Sequence, residues 1–335
     1  MAQLIEKLIE EAKKDPKRVA LPECEAENTL LAARKLLDEG IGTPVLVNDP
    51  AVIKETAEKT GVSTEGMEIV DITDEAARTE LVSRYMAAEP RMLSEKSYNR
   101  RAKKPLYYAL ILESVGDVDC TFAGHTSTTG EVLMAAQEVV GLSEGVDVSS
   151  LMAIVEVPGF EGPEGDTVVF ADCGLNPEPN PEELASIAIA TADNAAAILG
   201  WDPRVAFLSF STLGSGTSAS TENTLKALEI AKQRRPDLKI DGEFQLDAAI
   251  VPKVAERKVK RESEVAGRAN VLIFPDLDAA NLGIKIVQLF AHGKGFGHTL
   301  SGFRLPISDS SRSSSVEEIL GDIAMLVISA SRQSK

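Results

Sequence analysis

A hydroxyl, a guanidinium and a carboxylate fall within one short run near the C-terminus. LPISDSSRSSSVEEIL, residues 305–320, holds Ser311, Arg312 and Glu318, with Asp309 just ahead of them. Together these groups can bind an anion and move a proton. Arginine offers a planar fork of charged donors to phosphate or carboxylate. The start of a helix adds unpaired N–H groups and positive potential. The same run has a purely structural reading, because Ser315-x-x-Glu318 fits a capping box in which Glu318 closes a backbone N–H. On pattern alone both readings stay open.

A second candidate is STLGSGTSAST, residues 211–221, between the apolar run VAFLSF and a helical segment. Here Ser211, Thr212, Gly214, Ser215 and Gly216 could wrap a phosphate with backbone N–H groups and hydroxyls. The stretch is neither GxGxxG nor GxxxxGK[ST], so neither a dinucleotide nor a nucleoside-triphosphate loop is indicated. A flexible turn is the alternative. HGKGFGH (292–298) is also glycine-rich but follows a helix, which weakens it as a strand-end loop. His125, His292 and His298 are too scattered for a ligand set, so no metal is expected. Cys173 ends an apolar strand, where a small buried side chain is the default. No GxSxG elbow occurs.

The elements that must position these residues alternate between strand and helix. RVALPE (18–23), TPVLVND (43–49), MEIVDI (67–72), DCTFAG (119–124), MAIVEV (152–157), TVVFADC (167–173), VAFLSF (205–210) and VLIFPD (271–276) are strand candidates. Helical patterns lie between them, among them 2–14, 27–40 and 181–200. Continuous apolar strands separated by helices of ten or more residues predict an α/β fold with largely parallel, doubly covered sheets. At 335 residues two lobes are expected, and GLSEGVDVSSL (141–151) is the best boundary. Ligands of such folds bind outside the carboxyl ends of the strands, where both candidate loops fall.

The net charge of −17 and a pI near 4.8 argue against nucleic acid or an anionic membrane as partner, while leaving small anions possible. The N-terminal MAQLIEKLIEEAKKD is charged throughout and does not read as a signal peptide. No run of 18 apolar residues predicts a membrane span. Cys24, Cys120 and Cys173 are odd in number and lack CxxC spacing, which predicts a reduced, cytoplasmic setting.

Longer words in the chain carry a resemblance. VVFADCGLNPEPNPEELASIAI (168–189), FLSFSTLGSG (207–216), DGEFQLDAAIVPKVAE (241–256), VAGRANVLIFPDLDAANLGIKI (265–286) and GFRLPISDSSRSSSVEEI (302–319) resemble the phosphate acetyltransferase family. RVALPECEAENTLLAARKLL (18–37) resembles its N-terminal segment, so the likeness runs in order from about residue 18 to the end. The resemblance implies reversible transfer of an acetyl or other short acyl group between coenzyme A and phosphate. Coenzyme A, phosphate and an acyl phosphate such as acetyl phosphate are then substrates, with no tightly bound cofactor. It also implies a homodimer and two α/β lobes, 1–147 plus 305–335 and 148–304, with the site in a cleft between them. By motif position Glu318 takes the place of the family's acidic base, an aspartate. Ser311 would bond the reacting carbonyl oxygen and Arg312 would hold phosphate or coenzyme.

Three family arginines are missing. Asn28, Ala88 and either Leu133 or Met134 stand in their places, leaving Arg312, Arg91 and Arg304 as candidate cations. This keeps a second reading open: a catalytically impaired paralogue that binds coenzyme A or an acyl-coenzyme A in a regulatory role. A third, an assembly partner using the family's dimer surface, has no specific residue in its favour.

Overall fold

The computed structural model describes residues 2–88, 92–297 and 299–333. Arg91 and His298 lie outside the described residues. The chain divides into two compact α/β units, one of residues 142–302 and the other of 2–141 with 303 onward. The division falls at Gly141 and Gly302, a few residues before the 147/148 and 304/305 boundaries expected from sequence.

The unit built from both chain ends contains α1 (Ala2–Ala12), β1 (Lys17–Leu21), α2 (Glu27–Asp38), β2 (Gly42–Asn48), α3 (Pro50–Thr60), β3 (Glu68–Asp71), α4 (Glu75–Ala88), α5 (Glu95–Arg101), α6 (Pro105–Ser114), β4 (Cys120–Ala123) and α7 (Thr129–Val139). The remaining strand and helix of this unit are numbered after those of the second: β13 (Ile307–Asp309) and α13 (Val316–Gln333). Its sheet has the order β13-β4-β1-β2-β3, with every pairing parallel. Val19, Ala20 and Leu21 of β1 are wholly buried, as a strand covered on both faces requires. The apolar stripe of α13, including Ile319, Ile323, Met325 and Leu326, is buried beside α1, α2, β1 and β4.

The second unit contains β5 (Ser150–Leu151), β6 (Ala153–Glu156), β7 (Thr167–Ala171), α8 (Pro181–Leu199), β8 (Arg204–Leu208), α9 (Ala219–Arg234), β9 (Lys239–Phe244), α10 (Leu246–Ile250), α11 (Pro252–Lys258), β10 (Val271–Ile273), α12 (Leu277–Phe290), β11 (Lys294–Phe296) and β12 (Leu300–Ser301). Its main sheet runs β11-β6-β7-β10-β8-β9, and β12 pairs with β5 separately. The middle is parallel, but β6 is antiparallel to β7 and β11 to β6. The connection between β6 and β7 is too short for a crossover helix, which forces the antiparallel edge. The glycine-rich stretch after α12, weak from sequence as a strand-end loop because it follows a helix, supplies the edge strand β11. The longest described helix, α8, starts with Pro181 and an Asn180–Glu183 capping box and ends where Gly200 takes the left-handed φ of 68°. Phe170 and Phe274 pack at 4.9 Å in the core of this unit.

Candidate active site

Three neighbouring strands of the first unit, β13, β4 and β1, point their carboxyl ends the same way. Three loops therefore emerge side by side: 310–315, 124–128 and 22–26. Such a convergence in a parallel sheet is where ligands bind.

Backbone and side-chain hydrogen bonds hold the loops together. The Glu23 carboxylate, 3% exposed, accepts from the backbone N–H of His125 (2.6 Å), Thr126 (3.1 Å) and Ser127 (2.9 Å). Glu25 accepts from Thr126 Oγ1 at 2.8 Å and from Asn48 Nδ2 at 3.0 Å. His125 Nδ1 lies 3.1 Å from the Ser311 carbonyl oxygen, and Ser310 N–H donates to Ala123 O at 2.8 Å. Gly124 permits this approach. It has φ +94°, and a Cβ there would fall 2.5 Å from both Asp309 Oδ1 and the Ser310 nitrogen.

Within the serine-rich stretch, the hydroxyl of buried Ser310 donates to Asp322 Oδ2 at 3.0 Å and lies 3.1 Å from Ser314 Oγ, from which it can accept. Asn28 Nδ2 donates to Ser314 O at 3.0 Å. Ser311 Oγ lies 2.9 Å from Ser313 Oγ and accepts from Ser313 N–H at 3.3 Å. When Ser313 acts as donor in that pair, the Ser311 proton is left for a substrate oxygen. The capping box is present: Ser315 N–H donates to Glu318 Oε2 at 2.8 Å, and Glu318 N–H to Ser315 Oγ at 3.3 Å. Arg312 and Glu318 are exposed and Ser311 is half-buried, so all three can meet a solute. Asp309 is buried at the end of β13 and faces Gly124.

A Thr128–Glu131 capping box opens α7 beside this loop cluster. The Thr128 hydrogen bonds hold the Glu131 carboxyl below its usual range, helped by the charges of Lys104 and Arg312. Further along, Arg101 pairs with Glu138 at 2.7 Å and donates to Tyr107 Oη at 2.7 Å. Burial, followed by Glu138, pushes the Tyr107 hydroxyl up to about 12.

Arg304 sits at the amino end of β13, opposite Ser311, with its Nε donating to Val140 O at 2.6 Å. It therefore does not join Arg312 at the carboxyl end of the strand. Of the positions where the resemblance implies arginines, Asn28 lies in the first turn of α2, Ala88 ends α4, and Leu133 and Met134 lie on α7.

The glycine-hydroxyl loop of the second unit departs from expectation. Glu243, 1% exposed, accepts from Ser211 Oγ at 2.7 Å and from Gly214 N–H at 2.8 Å. Gly216 N–H donates to Ser211 Oγ at 3.0 Å, Thr212 N–H to Ser215 Oγ at 3.0 Å, and Ser215 N–H to Thr212 O at 3.2 Å. Ser211 and Thr212 are buried; Gly214 and Ser215 are exposed. The N–H groups expected to wrap a phosphate are thus occupied by the protein's own carboxylate and hydroxyls. A buried carboxylate beneath unpaired N–H groups is the cheaper arrangement, since each orphaned donor would cost about 1–3 kcal/mol.

Sequence reasoning missed the organising roles of Glu23, His125 and Asn28. The only signal was an acidic word, LPECE, directly after a strand. Among the described residues no His, Cys, Asp and Glu group could hold a metal ion, and no helix is long and apolar enough to cross a membrane.

The phosphate acetyl/butaryl transferase family profile matches residues 3–327. The chain is 40% identical over 331 residues to a phosphate acetyltransferase of Clostridium acetobutylicum, covering 98% of this chain and 99% of that one. It is 39% identical to another from Thermoanaerobacterium thermosaccharolyticum, over 98% and 99% of the two chains. The EutD phosphotransacetylase of Staphylococcus aureus superposes with a TM-score of 0.88 at 30% identity, over 97% of this chain and 99% of its own. Fold and matched residues define the class, an α/β acyltransferase. The chain belongs to the phosphate acetyl/butaryl transferase family.

Proposed function

We propose that the chain transfers a short acyl group reversibly between coenzyme A and phosphate, with the chemistry centred on Ser311, Arg312 and Glu318. The observation that carries this reading is that half-buried Ser311 and exposed Arg312 and Glu318 follow the carboxyl end of β13, on a segment held by the His125–Ser311 and Asn28–Ser314 contacts. A thiol with pKa about 8.5 needs a base before it attacks. In the proposed step Glu318 takes the thiol proton and sulfur bonds to the acyl carbonyl carbon. The Ser311 hydroxyl donates to the carbonyl oxygen as charge develops there. The C–O bond to phosphate then breaks, and phosphate leaves toward Arg312. Thiol and acyl phosphate both arrive as substrates, as thioester and phosphate do in the reverse direction, so this chemistry calls for no resident cofactor. No finding supports the regulatory-paralogue alternative.

The test is loss of the thioester of acetyl-, propionyl- or butyryl-coenzyme A driven by phosphate or arsenate. Arg312→Ala should lower the rate about 10- to 150-fold, as expected for losing one charged hydrogen bond of about 1.5–3 kcal/mol. A wild-type protein inactive on the whole panel would overturn the reading.

Two further parts belong to the same proposal. The chain forms a homodimer, and a surface suited to it is the outer stripe of α12, where Leu282 (62%), Ile286 (56%), Leu289 (73%) and Phe290 (82%) are exposed at helical spacing. Light scattering should give twice the chain mass, and Leu289→Glu with Phe290→Glu should give the monomer. The setting is the cytoplasm, in keeping with three free, buried thiols. Cell fractionation with an antibody to the chain checks it.

A further inference from the structure

A cavity of about 270 Å³ opens in the first unit, beside the candidate site. Its walls include Glu23 and Glu25 after β1, Thr126 and Glu131 around the start of α7, and Arg101 and Lys104 from α5 and its connection to α6. Most of these charges already have partners. Glu23 holds three backbone N–H groups, Glu25 holds Thr126 and Asn48, and Arg101 holds Glu138 and Tyr107. Lys104 differs: it is exposed, and no ion pair to its ammonium is found among the described residues. Pro105, the first residue of α6, follows it directly, and Lys104 is held extended at φ −95°, ψ 131°. Lys104 and Arg312 come from elements far apart in sequence, yet the charges of both act on the same exposed carboxylate, Glu131. Lys104 and Glu131 thus line one cavity that can admit a five-atom anion, and Arg312 follows Ser311, whose carbonyl oxygen meets His125 beside that cavity's Thr126.

We infer that Lys104 is a phosphate-binding residue, closing with Arg312 on the phosphoryl group that the proposed reaction transfers to or from. The inference rests on that reaction and adds a residue to it. It accounts for charge neutralisation where Asn28, Ala88, Leu133 and Met134 offer none. Lysine suits the task as a mobile point charge on a long stem. In the absence of phosphate, Glu131 supplies the countercharge; in its presence, Glu131 opposes the bound anion.

The test measures inorganic phosphate binding by calorimetry and, separately, the KM for phosphate, acetyl phosphate and coenzyme A. Wild type, Lys104→Ala, Lys104→Arg and Glu131→Gln are compared. Lys104→Ala should weaken phosphate binding about 10- to 100-fold, the loss of one charged contact, and raise the KM of phosphate and acetyl phosphate equally. The KM for coenzyme A should stay unchanged, and Lys104→Arg should restore most of the loss. Glu131→Gln keeps the capping box and should tighten phosphate. Because Lys104 is exposed, the thermal midpoint should hardly move. Unchanged phosphate binding in Lys104→Ala, or a change confined to coenzyme A, overturns the inference. Calorimetry needs no turnover, so a silent activity assay would sink the proposed reaction while phosphate binding still decides the role of Lys104.

Discussion

Asn28 Nδ2 donates to the carbonyl oxygen of Ser314 across 3.0 Å, joining the first turn of α2 to a stretch 286 positions away. Asn28, at a position where the resemblance implies an arginine, thus holds the serine-rich loop through a neutral hydrogen bond. Asn28→Ala should cost about 0.5–1.5 kcal/mol, the net worth of one neutral hydrogen bond. It should also lower kcat by loosening Ser311 and Arg312. Denaturant midpoints and steady-state rates check both; unchanged kcat would show that Ser314 does not need this anchor.

Glu318 caps α13 and is the proposed base, and substitution separates the two roles. Glu318→Gln keeps an oxygen for the Ser315 N–H, so the melting temperature should hold while kcat falls about 10²- to 10⁴-fold. Ser315→Ala should do the reverse, costing about 0.5–2 kcal/mol of stability with a small effect on kcat. Wild-type turnover in Glu318→Gln would leave Glu318 as a cap alone.

Glu243 fills the loop of the second unit from beneath. Glu243→Ala would orphan the buried Ser211 hydroxyl, at about 1–3 kcal/mol, and release the N–H of exposed Gly214 to water at a smaller cost. Glu243→Gln retains an acceptor and should cost clearly less. Thermal melts of the two variants decide it, and equal losses would mean that the negative charge, which neither variant keeps, supports the loop.

Glu113 is fully enclosed in the first unit. Its Oε2 accepts from Thr121 at 2.6 Å, while Oε1 has no partner among the described residues. Burial pushes its carboxyl well above the usual range. The folded chain therefore keeps a proton that the unfolded chain releases above about pH 4.3. Stability linked to this group is complete below that pH and falls as pH rises toward the raised folded value, by about 1.4 kcal/mol per pH unit. Glu113→Gln has no such slope, so the difference in unfolding free energy, variant minus wild type, should grow from pH 4.5 to 7. A difference independent of pH would contradict the assignment.

The alternation of strands and helices was legible because the buried stretches of such strands must be apolar, as residues 19–21 of β1 and 168–171 of β7 are, and because caps such as Asn180–Glu183 are local. Long words of sequence also carried the family, since they preserve residue types in order. The antiparallel β6–β7–β11 edge was less legible, because pairing direction depends on how far the chain travels between strands. Site details depended on contacts that sequence spacing does not encode. Ser315 and Glu318 could be read as a capping box from their separation of three. That Asn28 holds Ser314, that Glu23 gathers the amides of 125–127, and that Glu243 occupies the Gly214 loop follows only once the strands are side by side. The sequence by itself determined the fold class, the family and the Ser-Arg-Glu stretch. Tertiary structure alone decided which polar groups are already paired and which stay exposed, because burial obliges hydrogen-bond partners from distant parts of the chain to meet.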